Sequence, residues 1–177
     1  MIEFENKILY SERLTYRLLA DGDKDALGKL LSDETVTRPA GFLPAKNDEG
    51  FDWFYSELTR YNTGIAVLKS DELIGYFHVN PYRVGGKFAG MTCVSVGFVI
   101  GKDYQHCGYG TEMLSRMTEY LSGIFDACFA DCFTDNETSR RTIEKCGYKY
   151  AEDYTMMFDA LGEEKTCHSY YYTNKNK

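Results

Sequence analysis

Gln105-His106-Cys107-Gly108-Tyr109-Gly110-Thr111 is the stretch on which the reading of this chain turns. It follows the run Cys93–Ile100, which reads as a strand. It precedes Met113, Leu114, Met117, Tyr120 and Leu121, whose spacing predicts a helix ending near Gly123. A helix start leaves several backbone N–H groups without partners and carries partial positive charge. Gly108 and Gly110 let the backbone approach a ligand closely and adopt torsions that side chains disfavour. Together these features predict a seat for phosphate oxygens. The segment lacks both the G-x-x-x-x-G-K-[ST] pattern and the third glycine of a dinucleotide fingerprint, so an anion held in neither of those modes is indicated. Plain structural turns also join strands to helices through glycine, and these residues alone leave both readings open.

Outward from this loop, strand and helix patterns alternate. Leu14, Tyr16 and Leu18 alternate as in a strand, and Asp21-Gly22-Asp23 offers caps for a helix carrying Ala26, Leu27, Leu30 and Leu31. A loop with Pro39, Gly41 and Pro44 leads to Phe51, Phe54, Tyr55 and Leu58 at helical spacing. Ile65–Leu68 and Leu73–Val79 flank Ser70-Asp71 as a hairpin. Beyond the loop, Ala127–Phe133 is an apolar run short enough for a buried strand. Asn136–Cys146 reads as a helix stopped by Gly147, and strands follow at roughly Tyr154–Phe158 and Thr166–Tyr172. The expected fold is therefore a mixed α/β sheet rather than a bundle or a sandwich.

The 177 residues suit one domain, and no repeat or linker divides them; residues 174–177 read as a solvated tail. A net charge of -7, from 27 acids and 20 bases, argues against nucleic-acid binding and is compatible with a cationic acceptor. No apolar run approaches the length of a membrane span, and the first residues do not resemble a signal peptide. Six cysteines lack C-x-x-C or zinc-type spacing, which predicts no metal and reduced thiols in a cytoplasmic protein.

Three stretches carry a resemblance. Gln105-x-x-Gly108-x-Gly110 resembles the acetyl-CoA pyrophosphate loop, Q/R-x-x-G-x-G/A, of the GNAT superfamily of N-acetyltransferases. Ser11-Glu12-Arg13-Leu14-Thr15-Tyr16-Arg17-Leu18 resembles the T-E-R-L-x-L-R-x-L opening of its ribosomal-protein N-terminal acetyltransferase branch. Asn136-Glu137-Thr138-Ser139, followed by Glu144-Lys145-Cys146-Gly147-Tyr148, resembles that branch's N-x-x-S…E-K-x-G-F. The resemblance covers nearly the whole chain. It implies an N-acetyltransferase domain over residues 1–173, with six to seven mostly antiparallel strands, a central splay and about four helices.

The resemblance further implies that pantetheine pairs with the strand at Phe98, Val99 and Ile100. The amides of Gln105, His106, Cys107, Gly108, Tyr109, Gly110 and Thr111 would wrap the pyrophosphate. Asn136 would reach the pantetheine arm, a role compatible with the helix N-cap that its position also suggests. The implied acceptor is an amine-bearing small molecule or a peptide or protein N-terminus. A homodimer formed by sheet pairing fits this architecture, though no sequence feature demands it.

Direct transfer needs a neutral amine, a donor for the oxyanion and a proton for the departing thiolate. A backbone N–H near Val99 is expected to serve the oxyanion. The family's usual acid, a Tyr seven residues after the Asn, is Ile143 here. Ser139 matches the serine of the ribosomal-type branch and is the candidate acid or thiol-orienting group; a first-turn serine bonded only to its own helix is the alternative. The usual Glu, two residues before a strand glycine, is Ser95, which can act only by holding a water. A site without a carboxylate base favours α-amines, whose reference pKa lies roughly 2.6 units below that of lysine, or roughly 3.5 kcal/mol. Asp33 or Glu34 could still enter the cleft from a loop.

Other residues attract attention without deciding the function. Cys107 at a helix start invites a covalent reading, but a phosphate-cradling loop is the wrong place for an acyl acceptor. His78 could line the acceptor cleft as a base or be an ordinary sheet histidine, while His168 and Tyr170-Tyr171-Tyr172 read as structural. The resemblance places Phe42, Trp53, Phe54 and Tyr55 in the region that covers the acceptor, while their amphipathic spacing fits a docked helix first and a substrate wall second. The competing functional reading is a catalytically idle CoA-binding or scaffold domain, motivated by the missing Glu and Tyr.

Overall fold

The computed structural model describes residues 7–41, 48–159 and 161–174. Pro44 and Phe42, and all of the expected tail except Asn174, lie outside these residues. Eight strands form one sheet: β1 (Leu9–Tyr10), β2 (Thr15–Leu18), β3 (Gly64–Lys69), β4 (Glu72–Tyr82), β5 (Cys93–Ile100), β6 (Ala127–Phe133), β7 (Lys149–Phe158) and β8 (Glu163–Thr173). Their order across the sheet is β1-β2-β3-β4-β5-β6-β8-β7. Every neighbouring pair is antiparallel except β5 and β6.

Five α-helices are described: α1 (Lys24–Leu31), α2 (Glu34–Thr37), α3 (Asp48–Arg60), α4 (Tyr109–Ser122) and α5 (Glu137–Lys145). None is long and apolar enough to cross a membrane. Helices α1 to α3 cover one face of the sheet, where Leu27, Leu31, Val36, Tyr55 and Leu58 pack on Tyr76 and Val99. Helices α4 and α5 cover the other, where Met113, Leu114, Met117, Leu121 and Ile143 meet Val94, Val96 and Ile100. Alternation along β5 follows from strand geometry, which sends successive side chains to opposite faces.

Cys93–Ile100 and Ala127–Phe133 are strands with the bounds expected from sequence. The hairpin turn holds Ser70 and Asp71 at φ 48° and 67°, positive values that match the twist of the flanking strands. Two elements exceed the expectation. Strand β1 is too short to show a period, and α2 is one turn nucleated by its cap, since Asp33 accepts from the Thr35 amide at 2.8 Å. Strands β7 and β8 also run longer than expected. Most β7 side chains are exposed, so backbone pairing with β8 rather than apolar patterning sets its length.

The decisive feature is where β5 and β6 part. Their parallel pairing spans only four rungs, from Cys93 with Ala127 to Val96 with Ala130. Beyond that, β5 stays with β4 as far as Ile100 opposite Gly75, and β6 stays with β8 as far as Phe133 opposite Cys167. The sheet is therefore continuous at one end and split at the other.

Met117 is fully buried between α4 and the sheet. Met117→Ala is expected to destabilise the fold by about 2–5 kcal/mol, through lost transfer energy and a residual cavity. Urea unfolding measures this; a loss below about 1 kcal/mol would contradict the packing described.

Candidate functional site

Backbone polarity on the open side of β5 follows from its pairing with β4. The Gly101 amide donates to the Ile74 carbonyl at 2.8 Å, and the Val79 amide donates to Thr63, on the β3 side. In an antiparallel ladder such bonds alternate, so Val99 and Gly97 direct their N–H and C=O groups toward β4. Phe98 and Ile100 direct theirs toward the split. The Ile100 carbonyl is met there by the Gln105 side-chain amide at 3.0 Å. This sharpens the expectation for the strand: Phe98 and Ile100 present backbone to the cleft, whereas Val99 presents only its side chain, to the α1–α3 face.

At the end of β5 the chain makes a 3-10 turn, Lys102–Tyr104, and enters the loop. His106 and Gly108 stand at φ 60° and 83°, left-handed positions that turn successive amides to one side. The Gln105 amide is spent on the Lys102 carbonyl at 3.2 Å, and the Glu112 amide on Gly108 at 3.1 Å. Among the described residues, the six amides from His106 to Thr111 have no acceptor. The seat is thus one residue shorter than expected, with Gln105 serving as a brace between loop and strand.

Gly110 adds a separate clue. Its φ is not among the positive values, and a Cβ built there would meet no protein atom nearer than Thr142 Cγ2 at 3.9 Å. Neither torsion nor packing demands glycine, and the open space beside it lies toward Ile100 of β5 and Thr142 of α5.

The opening motif comes to the same place. Glu112, in the first turn of α4, accepts from the Ser11 hydroxyl and the Arg13 amide, each at 2.7 Å, and pairs with the Arg13 guanidinium at 2.7 Å. Arg13 also donates to the Cys107 carbonyl at 3.0 Å and lies 4.4 Å over the Tyr109 ring. Burial opposes ionisation of Glu112, but these hydrogen bonds and the Arg13 charge outweigh it and hold the carboxyl below its ordinary range. The motif residues 11–13 therefore fasten the loop and place a cation beside it.

Across the split, α5 begins at Asn136. Its Oδ1 accepts from the Ser139 amide at 3.1 Å, the cap expected from sequence, and its Nδ2 donates to the Pro39 carbonyl at 3.1 Å. Ser139 is half-buried in the first turn. Ile143, which stands at the family's Tyr position, is fully buried in the core and has no proton to give.

On the α1–α3 face, Ser95 and Gly97 follow one another along β5. A Cβ at Gly97 would fall 2.2 Å from the His78 ring, so the imidazole occupies the place a side chain would take. Burial lowers its pKa to about 4 and keeps it neutral near pH 7. Asp33 caps α2, and Glu34 is exposed. Tyr55 is buried with its hydroxyl on the Ala20 carbonyl, Phe54 is half-buried, and Trp53 is exposed. His168 bonds Asp153 at 2.6 Å between β7 and β8, and Cys107 is exposed on the loop.

One group escaped the sequence reading. Asp131 is the single acid in the apolar run of β6 and lies just past the last β5–β6 rung. Its Oδ2 accepts from the Tyr154 hydroxyl at 3.2 Å, while its buried Oδ1 has no partner among the described residues. A charge inside a buried strand was the available signal.

A sheet that parts beside an amide nest is the frame of an acetyl-transfer domain. A family model described as an acetyltransferase (GNAT) domain matches residues 13–149, and the chain belongs to that family. It is 27% identical to the uncharacterized N-acetyltransferase YoaA of Bacillus subtilis (strain 168) over 151 residues, 80% of this chain and 82% of that protein. Its fold resembles that of spermidine N-acetyltransferase from Vibrio cholerae in complex with CoA and spermine. That match has a TM-score of 0.76 at 16% identity and covers 92% of this chain and 96% of that one. Ribosomal-protein-S5-alanine acetyltransferase from Vibrio fischeri gives a TM-score of 0.75 at 16% identity, covering 96% and 98%.

Because the folded pKa of Glu112 is depressed, its contribution to stability is present above its unfolded value, about 4.3, and is lost as pH falls through the folded value. Glu112→Gln should cost about 1–2 kcal/mol at pH 7, and less at pH 3, below the unfolded value, where part of the carboxylate's contribution is already lost. Thermal unfolding at both pH values tests this; an equal deficit at both would contradict it.

Proposed function

We propose that this chain is an acetyl-CoA-dependent N-acetyltransferase that transfers the acetyl group directly to a primary amine. The acceptor is a small molecule or a peptide or protein N-terminus. Residues 1–173 act as one domain, in a cytoplasmic setting that keeps the free thiols reduced. The observation that carries this reading is a conjunction at one mouth of the split. Six uncommitted amides, His106 to Thr111, adjoin the outward backbone of Phe98 and the outward amide of Ile100, whose carbonyl is held by Gln105. The first feature suits a diphosphate, and the second suits an amide-bearing arm that pairs as an added strand would.

When bound, acetyl-CoA supplies an activated acetyl thioester. The chain's own residues supply the rest. The His106–Thr111 amides hold the diphosphate, helped by the Arg13 charge, and the bare Gly110 allows close approach. The outward amides of Phe98 and Ile100 orient the arm and offer donors to a carbonyl oxygen, a role that Val99 cannot share because its amide faces β4. Ser139, on the opposite wall beside Asn136, orients or protonates the sulfur. Ser95 holds a water on the acceptor face.

The named relatives support an amine acceptor, since one acts on spermidine and another on a ribosomal-protein alanine. Within amines, the α-amino group is the easier substrate, because it is neutral at lower pH.

Calorimetry with acetyl-CoA tests the cofactor seat. Wild type should bind, and Gly110→Leu should bind at least tenfold more weakly while unfolding within a few degrees of wild type. No wild-type binding at millimolar acetyl-CoA would overturn the reading. Ser139→Ala should slow thiol release at least tenfold with acetyl-CoA affinity within twofold; unchanged turnover would remove Ser139 from the mechanism.

A further inference from the structure

Strand β6 sends Phe129, Asp131 and Phe133 to one face, while Cys128, Ala130 and Cys132 join the core beneath α4 and α5. Phe129 is roofed by Phe88, with ring centroids 4.9 Å apart. Phe133 is packed against Phe158 at 4.9 Å, beside Gly41. Asp131 lies between these two roofed positions and is only half-buried. Had the β5–β6 ladder continued by one rung, Asp131 would stand opposite Gly97, whose vacant side carries the His78 imidazole. Its carboxylate therefore sits where the strands begin to part, on the α1–α3 face that carries Ser95.

The surroundings of this carboxylate are unusual. Tyr154 comes from β7, Ser169 and Cys167 from β8, Cys132 is its neighbour in β6, and Tyr82 approaches from β4 with Glu152 behind it. None of these groups is cationic. Burial raises the Asp131 pKa, and the nearby hydroxyls of Ser169 and Tyr154 oppose that rise without cancelling it, although only Tyr154 stands in hydrogen-bond geometry, on Oδ2. A buried carboxylate oxygen with no hydrogen-bond partner among the described residues is costly, and a water, an ion or a ligand's donor would complete it. A primary ammonium carries the missing charge and three donors.

We propose that Asp131 is the acceptor-binding carboxylate of this enzyme, taking the ammonium of the substrate on Oδ1 and then its proton. This rests on the acetyltransferase reading and supplies the base left open at Ser95. Before the transfer one N–H bond of the ammonium breaks, its electron pair stays on nitrogen, and the proton passes to Asp131 and from there to solvent. As that pair forms the C–N bond the thioester C–S bond breaks, and the second proton lost by nitrogen ends on the departing thiolate, giving free thiol. Tyr154 is a positioning residue that holds Oδ2 and leaves Oδ1 for the ammonium.

The test uses the intact chain with acetyl-CoA and three probes: spermidine, a short peptide with a free N-terminal alanine, and 2,2,2-trifluoroethylamine, which is largely neutral near pH 8. For a probe amine that wild type acetylates, Asp131→Asn should lower kcat/KM at least 100-fold. Its acetyl-CoA affinity by calorimetry should stay within twofold, and its activity on trifluoroethylamine within about tenfold. Direct titration should show amine affinity lost in the variant. Tyr154→Phe removes a hydrogen bond that favours the ionised form, so the acidic limb of its kcat/KM profile should move to higher pH.

Amine activity within threefold of wild type in Asp131→Asn would overturn the proposal. So would an unmoved acidic limb in Tyr154→Phe, which decides the matter if Asp131→Asn does not fold. Acetyl-CoA binding and amine turnover in wild type with neither variant effect would sink this assignment alone. Failure of wild type to bind acetyl-CoA, or to acetylate any of the three probes, would sink the acetyltransferase reading with it.

Discussion

Four rungs of parallel pairing between β5 and β6 are the constraint on which the rest of the molecule depends. Each strand has a stronger claim on it from its other side: β4 holds β5 to its last residue, and β8 holds β6 to its last residue. Because both outer ladders continue past the fourth rung, the inner one gives way. Backbone groups that a closed sheet would have consumed at Phe98 and Ile100 are left facing a cleft. Elsewhere, unpaired strand edges are a liability. Here the two faces are roofed by α1–α3 and α4–α5, so the opening is confined to one end.

The cleft's two ends differ in sign. At the loop, the nest of amides, the start of α4 and Arg13 concentrate positive potential without burying a full charge, since Arg13 is balanced by Glu112. Asp131, on the other face, is negative and without a counter-ion among the described residues. Such an arrangement suits the proposed anionic donor and cationic acceptor on opposite sides of one gap. Two large glycine-dependent contacts maintain it. Gly108 supplies the left-handed cap of α4, and Gly97 yields its side-chain space to His78.

The main elements were legible from the sequence because their signals are local. Periodic apolar residues marked α4, and the short apolar runs Cys93–Ile100 and Ala127–Phe133 marked the two central strands. Asn136 and Gly147 marked the two ends of α5, as cap and left-handed stop. The loop motif pointed to an anion seat, but which amides remain free depends on bonds such as Gln105 to Lys102, which no spacing reveals. The direction of the Val99 amide depends on register with β4, a long-range property. Arg13 was read only as part of an opening motif, because its partner Glu112 lies about a hundred residues away. Asp131 is hidden for a different reason: a lone acid inside the apolar run Ala127–Phe133 does not disturb the pattern that marks the strand.

Backbone amide chemical shifts followed during titration with acetyl-CoA test the central claim most directly. The account requires the largest changes at His106 through Thr111 and at Phe98 and Ile100, with the Val99 amide moving less than either neighbour. Perturbations centred on another surface, with this loop and strand end unmoved, would contradict it.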